Sequence, residues 1–342
     1  MKKVFIYVLA VLIVLSNNLP CYAYSDDNSA QKSYWDYLLD EDEISFLTMR
    51  DGQKALSDYF QKYNMDMLIG TKEYYDYIVD QTLTHDDKNL LSNDNYRVIN
   101  AYMLQYKLYS DNCFENNTQE KFYDNESFLD TTINEIRHRN YILLNSMYKE
   151  NANKSMASYS ASNAVAYAVQ WGGNEADPSN GILANHKHNP AYPQYSGDCT
   201  NFVSQCLYAG GIPFVGNPSS LGIGVHTSTT NWYCSKITEW HGNTPVQGFS
   251  LTTSWNRVQD FYTYMHSVAN SIIHYSSRNT FISMCAPGDV AQLVDSDTGT
   301  VHHSIIITSK SGYNVTYCSH SHYRTNEPLT TVTDTLFLFD FT

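Results

Sequence analysis

The chain has 342 residues and a formal net charge of −14 at pH 7, with 21 Lys and Arg against 35 Asp and Glu. This acidity argues against a nucleic-acid-binding protein, and a content of 42% hydrophobic and 14% aromatic residues argues against wholesale disorder. The length is typical of a chain with more than one domain. Seven cysteines are too few for a disulfide scaffold of this size.

The N-terminus has the features of a secretion signal. Two lysines precede an apolar run at residues 4–15, which is too short to span a bilayer comfortably. Cys21 and Ala23 are small residues at the two positions that a signal peptidase reads. We therefore expect residues 1–23 to be a signal peptide, with an uncleaved N-terminal anchor as the alternative. The expected protein is secreted or cell-wall associated, with no membrane span after signal cleavage.

The composition of the remaining chain changes near residue 158. Residues 24–158 carry 24 acidic and 13 basic side chains, two glycines and no proline. Residues 159–342 carry 11 acidic and 6 basic side chains, with 14 of the 16 glycines and 8 of the 9 prolines. This change predicts a domain boundary, with the Ser- and Ala-rich stretch 155–162 as the linker.

Residues 24–158 are predicted to form a mostly helical, acidic domain. The evidence is the long stretch without proline and apolar residues at helical spacing, such as Tyr34 and Leu38. At residues 96–109 and 139–147 the apolar and aromatic residues are too dense to distinguish helix from strand. The sequence leaves three roles open for this domain: a spacer, a wall-contact module, or an inhibitory module that covers the cleft of the following domain.

Residues 159–342 have a different pattern. A short helix is predicted at residues 163–171, and Gly172 ends it. Beyond it, short apolar runs alternate with Gly, Pro, Ser and Asn, which is typical of an α+β or β-rich fold. Ten of the twelve histidines also lie here, so this is the domain in which we look for catalysis.

Cys199 is the cysteine with a reason to be reactive. Apolar residues recur at three- and four-residue intervals from Phe202 to Leu207 and two glycines follow, which predicts an amphipathic helix that Ser196 or Asp198 can cap. The start of a helix favours a thiolate, and its free N–H groups can hold an oxyanion. From position alone, a buried structural cysteine or a disulfide partner explains this residue equally well.

Histidines downstream favour the catalytic interpretation. Strands are predicted at residues 288–294, 303–308 and 315–320. If Thr308 faces Val315 across the last loop, His303 and His320 are direct cross-strand neighbours, and His302 points the other way. One imidazole would then act as the base toward a thiol while the second polar group orients it, as cysteine acyl transfer requires.

Several segments together resemble one known family. They are Gly197-Asp-Cys-Thr-Asn-Phe-Val-Ser-Gln-Cys206, Ala209-Gly-Gly211, Gly288-Asp-Val290, His303-Ser-Ile-Ile-Ile-Thr308, Ser319-His320 and Asn326-Glu-Pro-Leu329. In these segments the chain resembles the putative amidase domain family of exported bacterial proteins, which is allied to NlpC-type and CHAP-type cysteine hydrolases. The resemblance covers about the second half of the chain.

The resemblance implies an α+β fold class, with a papain-like (NlpC/CHAP-type) C-terminal domain in which a helix packs on an antiparallel sheet. It implies that Cys199 is the nucleophile, His303 the general base and His320 the third, orienting group. The alternatives for the third group are Asn314, His322 and Asn326.

The implied mechanism is attack by the Cys199 thiolate on an amide carbonyl, with His303 transferring protons. Family and export together suggest peptidoglycan, or another amide-containing cell-wall substrate. We expect no cofactor or metal, since neither Cys-x-x-Cys nor His-Glu-x-x-His occurs. Two alternatives stay open: a catalytically idle papain-like domain that binds cell-wall glycan or peptide, and an acyltransferase that uses an amine in place of water.

Overall fold

The structure is a computed structural model that describes residues 36–115, 122–146, 159–176, 181–275 and 277–342. The predicted signal peptide and most of the predicted linker lie outside these ranges, so both stay predictions. A helical N-terminal region precedes a sheet-rich C-terminal region, which confirms the α+β class.

The described N-terminal helices are α1 (Met49–Lys62), α2 (Lys72–Thr84), α3 (Lys88–Leu91), α4 (Tyr96–Glu115), α5 (Glu126–Leu129) and α6 (Ile133–Ser146). The two stretches with an ambiguous period therefore belong to helices α4 and α6. Helix α4 is central, with Ile99, Tyr102 and Met103 all fully buried, so apolar residues cover most of its circumference and hide the helical period. Within the described ranges, no helix is both long and apolar enough to cross a membrane.

Helix α1 shows how the local sequence builds this region. Thr48 and Asp51 form a capping box, in which each side chain accepts a hydrogen bond from the backbone N–H of the other residue. Gly52 then allows close contact with α4, because a Cβ atom at this position would lie 2.5 Å from Cβ of Tyr102. A larger residue here would push the two helices apart.

The described C-terminal helices are α7 (Ala161–Trp171), α8 (Cys199–Ala209), α9 (Thr253–Asn256), α10 (Val258–Met265) and α11 (Arg278–Met284). The strands are β1 (Gly224–His226), β2 (Cys234–His241), β3 (Thr244–Thr252), β4 (Ser271–Tyr275), β5 (Val290–Val294), β6 (Val301–Ser311), β7 (Asn314–Ser319), β8 (Arg324–Pro328) and β9 (Thr335–Asp340).

These strands form two sheets. The larger sheet has six antiparallel strands in the order β4-β9-β5-β6-β7-β8, and the smaller one has the order β1-β3-β2. Helix α8 packs on one face of the larger sheet, against Ile306 and Cys318.

The hairpin between β6 and β7 has a register that differs from the predicted one. Val315 pairs with Lys310 instead of Thr308. The loop is shorter than expected, because Gly312 adopts a φ of +60° and permits a tight turn. Thr308 falls at a register shift in β6, where it forms a β-bulge.

This register changes the position of the two histidines. Beyond the bulge Ile306 pairs with Cys318, and β7 ends at Ser319. His320 therefore lies past the end of the strand and has no partner in β6. The prediction that His303 and His320 are direct cross-strand neighbours is wrong.

The two regions are joined through the loop between β5 and β6. Arg97 of α4 forms an ion pair with Asp297 at 2.8 Å, and Asn100 donates a hydrogen bond to the buried Asp295 at 2.9 Å. Leu38, which precedes the first helix, packs into the main core of the C-terminal region. The loop predicted as a polar turn thus carries much of the contact with helix α4.

Candidate active site

Helix α8 begins at Cys199, and its residues from Cys199 to Leu207 are all buried. Asp198 holds the N-cap position, but its side chain makes no capping hydrogen bond. Instead the hydroxyl oxygen of Ser321 accepts from the backbone N–H of Asp198 at 2.6 Å and of Cys199 at 3.1 Å. The Cys199 amide, which the sequence suggested for an oxyanion, is therefore bonded to Ser321 in this arrangement.

Ser321 was missed at the sequence level. It lies 122 positions from Cys199 in the chain, and its φ of +70° is in the left-handed region that few residues other than glycine adopt. Such a conformation costs on the order of 1–3 kcal/mol and persists only where the surroundings fix it. Here the two amide hydrogen bonds at the start of α8 help to hold it.

His320 lies against the start of helix α8. Its Nδ1 is 2.7 Å from Oδ2 of Asp198, and its Nε2 is 2.8 Å from the carbonyl oxygen of Trp171. The ring also stacks on Phe202, with centroids 4.0 Å apart. With these contacts His320 positions α8, and neither ring nitrogen is directed at His303.

His303 lies on β6 and points away from helix α8. The next residue, Ser304, faces α8, where its Oγ lies 3.0 Å from Oγ1 of Thr200. Because side chains alternate along a strand, His303 faces the opposite side. There it lines a small cavity of about 20 Å³ together with Tyr317 and with Leu83 of α2.

The imidazole of His303 is buried and neutral. Burial lowers its pKa well below the ordinary value, and the nearby charge of Lys107 acts in the same direction. Its Nδ1 is buried without a hydrogen-bond partner among the described residues. Within the described part of the chain, no hydrogen bond joins this ring to the Cys199 thiol.

The Cys199 thiol lies against strand β6. The backbone amide of Ser304 donates to it, and Thr200 Oγ1 is 3.7 Å from its Sγ. Burial raises the pKa of the Cys199 thiol, so the expectation that the helix start favours a thiolate is not met in this arrangement. The cysteines whose side chains are described are all free and buried: Cys199, Cys206, Cys234, Cys285 and Cys318.

Helix α4 covers this thiol with a buried charged pair. The side chain of Lys107 is fully buried, and its Nζ lies 3.1 Å from Oδ2 of Asp111 and donates to the carbonyl oxygen of His302 at 3.1 Å. Lys107 lowers the pKa of both Cys199 and His303 through its charge. One lysine of the N-terminal region thus lies within electrostatic reach of both residues named as nucleophile and base.

A second cavity, of about 120 Å³, opens directly beside Cys199. Its wall combines residues of α4, of the segment before α8, and of α9 and α10. The lining residues are Leu108, Asp111, Gly197, Cys199, Asn256, Arg257, Val258, Gln259 and Asp260. Cys199 is therefore adjacent to open space between α4 and helices α8 to α10.

The alternatives for the third group lie in different places. His322 lines the same small cavity as His303, and burial lowers its pKa to about 4. Asn326 accepts a hydrogen bond from Thr308 at 2.8 Å, and Asn314 lies at the far end of the hairpin. Of these alternatives, His322 is the one that shares its surroundings with the predicted base.

A further polar contact links the two regions beside the predicted base. Asp334 is buried, with Oδ1 3.3 Å from Nε2 of His302 and Oδ2 3.8 Å from Nε2 of His85. His302 and His85 both hold the pKa of the Asp334 carboxyl below its usual range. Among the described residues, no group of three or more His, Cys, Asp or Glu side chains has an arrangement that could hold a metal ion.

Comparison with known proteins gives the family. Residues 158–336, just over half of the chain, match the family described as "Putative amidase domain". The chain belongs to this family, and membership indicates a hydrolase that acts on amides. A stretch of 47 residues, 14% of this chain, is 49% identical to the uncharacterized protein YhbB of Bacillus subtilis (strain 168) and covers 15% of that protein. No solved structure matches the chain significantly.

Proposed function

We propose that this protein is an exported, cysteine-dependent amide hydrolase in which Cys199 is the nucleophile and His303 the general base. One observation carries the proposal: the backbone amide of Ser304, the residue next to His303, donates to the Cys199 thiol, so both residues lie at the same stretch of β6. The surrounding sequence belongs to an amidase family. A papain-like, NlpC/CHAP-type domain is the architecture we propose for residues 159–342.

The proposed reaction is covalent. His303 removes the proton from the Cys199 thiol, and the sulfur attacks the amide carbonyl to form a tetrahedral intermediate. Collapse breaks the C–N bond while the imidazolium returns the proton to the leaving amine. Water, deprotonated by the same imidazole, then cleaves the thioester and releases the acid. No step requires a metal or a cofactor.

The arrangement described here is a covered form of that enzyme. Cys199 is only 2% exposed beneath α4, and His303 faces the opposite side of its strand. Activity therefore requires α4 to withdraw and the backbone of β6 at His303 to rearrange, because a side chain on one face of a strand cannot reach the other face by rotation alone. Among the three roles left open by the sequence, this contact favours an inhibitory helical domain over a spacer or a wall-contact module.

The proposed role of His320 also changes. Its contacts with Asp198 and Trp171 support a positioning role at the start of α8, one residue before the nucleophile. The group that orients His303 is then better sought in His322, which lines the same cavity.

For the substrate we propose peptidoglycan or another amide-containing cell-wall polymer. The support is the signal-like sequence at residues 1–23 and the family of the C-terminal region. The location we propose is accordingly secreted or associated with the cell wall.

The test is release of new amino groups from purified cell-wall sacculi by residues 24–342 under reducing conditions. Cys199→Ala and His303→Ala should each abolish the release. Cys206→Ala is the matched control, since this buried cysteine lies two helical turns further along α8, and it should keep activity. Equal release by the Cys199→Ala variant would refute the proposal.

A catalytically idle binding domain is the second candidate. It is favoured by the separation of Cys199 and His303 on opposite sides of β6, and by the raised pKa of the thiol. In that case sacculi would sediment the wild type and the Cys199→Ala variant equally, with no amino groups released by either.

A further inference from the structure

Asn256 is a buried residue whose side-chain polar atoms form no hydrogen bond with the described residues. It is the last residue of helix α9 and is 3% exposed. Both its Oδ1 and its Nδ2 are buried without a hydrogen-bond partner among the described residues. Most buried side-chain amides in proteins are bonded, because burial of an unbonded amide costs free energy. Such an exception points to a partner outside the described residues, such as a bound ligand.

The position of Asn256 shows where that partner would lie. Asn256 lines the same cavity as Cys199, at about 120 Å³. A single water needs a cavity of about 10–15 Å³, so this cavity has room for several waters or for a group of a ligand. Cys199 and Asn256 both contribute to the wall of this cavity, so a ligand that enters it lies beside both residues.

Neighbouring residues fix the segment that carries Asn256. The carbonyl oxygen of Trp255 accepts from Oγ of Ser204 at 2.7 Å, and the indole N–H of Trp255 donates to Oδ1 of Asn201 at 2.8 Å. Both partners lie on helix α8, which begins at Cys199. The amide is therefore held in a fixed relation to the nucleophile, as substrate binding requires.

A contact on the other side completes this support. The side-chain amide of Gln292, on β5, donates to the carbonyl oxygen of Val258 at 3.0 Å. The backbone carbonyls of Trp255 and Val258, on both sides of Asn256, thus accept hydrogen bonds. The Asn256 side chain has no hydrogen-bond partner among the described residues.

We propose that Asn256 binds a peptide group of the substrate beside the scissile bond. A carboxamide presents N–H donors and a carbonyl acceptor in one plane, so it can donate to the carbonyl oxygen of a secondary amide and accept from its N–H. The substrate class is then a chain with at least two amides, one at Cys199 and one at Asn256, in preference to an isolated amide. This inference rests on the proposed function, since it assigns a specificity-determining residue to the same site.

The experiment compares Asn256→Leu with the wild type on a peptide substrate released from sacculi. Loss of a neutral hydrogen-bonded pair should lower kcat/KM by about tenfold. The melting temperature should not fall, because no bond inside the protein is lost. Asn201→Leu is the matched control, since Asn201 is bonded to Asp198, Pro193 and Trp255, and it should lower the melting temperature. An unchanged kcat/KM, or a fall in stability equal to that of the control, would overturn the assignment.

A second arm does not depend on hydrolysis. Cys199 is alkylated with iodoacetamide, which carries an amide, and with methyl methanethiosulfonate, which does not, and modification at Cys199 is followed by peptide mass spectrometry. Asn256→Leu should slow the first reagent several-fold relative to the second. An unchanged ratio of the two rates would overturn the role of Asn256, whereas absence of hydrolysis by the wild type would refute the proposed function alone.

Discussion

Asp198 and His320 form a buried pair, with Oδ2 and Nδ1 2.7 Å apart, directly before the nucleophile in the chain. The second nitrogen of the ring contacts the carbonyl oxygen of Trp171. The two contacts of this ring join the end of β7 to the start of α8 and to the end of α7.

The first prediction concerns this pair. His320→Ala should lower the free energy of unfolding by about 1–3 kcal/mol, because it leaves a buried carboxyl oxygen of Asp198 without its hydrogen-bond partner. Denaturant unfolding measures this loss. Asp58→Asn is the control, since it breaks an exposed ion pair with Lys54 and should change stability by less than about 0.5 kcal/mol. Equal effects of the two substitutions would contradict a stabilising role for the buried contact between His320 and Asp198.

The second prediction concerns the cover formed by α4. A Cβ atom at Gly197 would lie 2.3 Å from Cγ of Asp111, so Gly197→Ala should displace α4 from Cys199. Overpacking of this kind costs about 1–3 kcal/mol, which corresponds to about 5- to 150-fold faster labelling of Cys199 by iodoacetamide through the opened form.

A double-mutant cycle provides the control for this prediction. In an Asp111→Ala background the clash is absent, so the Gly197 substitution should add little to the labelling rate. Equal acceleration in both backgrounds would show that Gly197→Ala acts on the start of α8 and not on the contact with α4.

The third prediction concerns Lys107. Its charge lowers the pKa of Cys199 and of His303, so Lys107→Met should raise both. The pH profile of Cys199 alkylation should move to higher pH, and the His303 imidazole should titrate at higher pH by NMR. Lys72→Met, which removes an exposed lysine paired with Asp76, should leave both profiles unchanged. A shift of one profile without the other would place Lys107 near only one of the two residues.

The fourth prediction is loss of stability in acid. Burial lowers the pKa of His266 and His322 to about 4 and of His274 to about 3, against an ordinary value of 6.5. As the pH falls below 6.5, the unfolded chain takes up these protons before the folded protein does, which favours unfolding. With respect to these groups the free energy of unfolding therefore has its full value above pH 6.5 and decreases as the pH falls toward 4. Asp289 acts in the opposite sense, because burial raises its pKa to about 6 and its contribution grows as the pH falls from 6 toward 3.8.

His303, whose pKa burial also lowers, acts with these three histidines, whereas Asp80, Asp295 and His85 act with Asp289 because their pKa values are raised. We expect the four histidines to dominate, so the free energy of unfolding should fall between pH 6.5 and 4.5. Guanidinium unfolding at several pH values measures this dependence. His266→Gln should make it less steep, whereas His241→Gln, at a site that is 66% exposed, should not. A stability that stays constant or increases over this interval would contradict the prediction.

Local patterns in the sequence were sufficient for several elements. Glycines after an apolar stripe predicted helix α8 with Cys199 at its start, and three short apolar runs predicted β5, β6 and β7. The helical nature of the N-terminal region followed from the absence of proline and from helical spacing. These features depend on residues within one or two turns of each other, so a single sequence contains them.

Tertiary structure decided the rest of the site. The tight turn at Gly312 pairs Val315 with Lys310 instead of Thr308, and β7 ends at Ser319, so His320 has no partner in β6. Lys107 contacts the carbonyl of His302 from 195 positions away. Asn256 stands out only because burial has left its amide without a hydrogen-bond partner among the described residues.

By itself the sequence determined a cysteine at the start of a helix and a histidine on a strand, together with the acidic helical region. Only packing determined that this region covers the cysteine and that the two residues face opposite sides of one strand, because burial and register arise between segments distant in the chain.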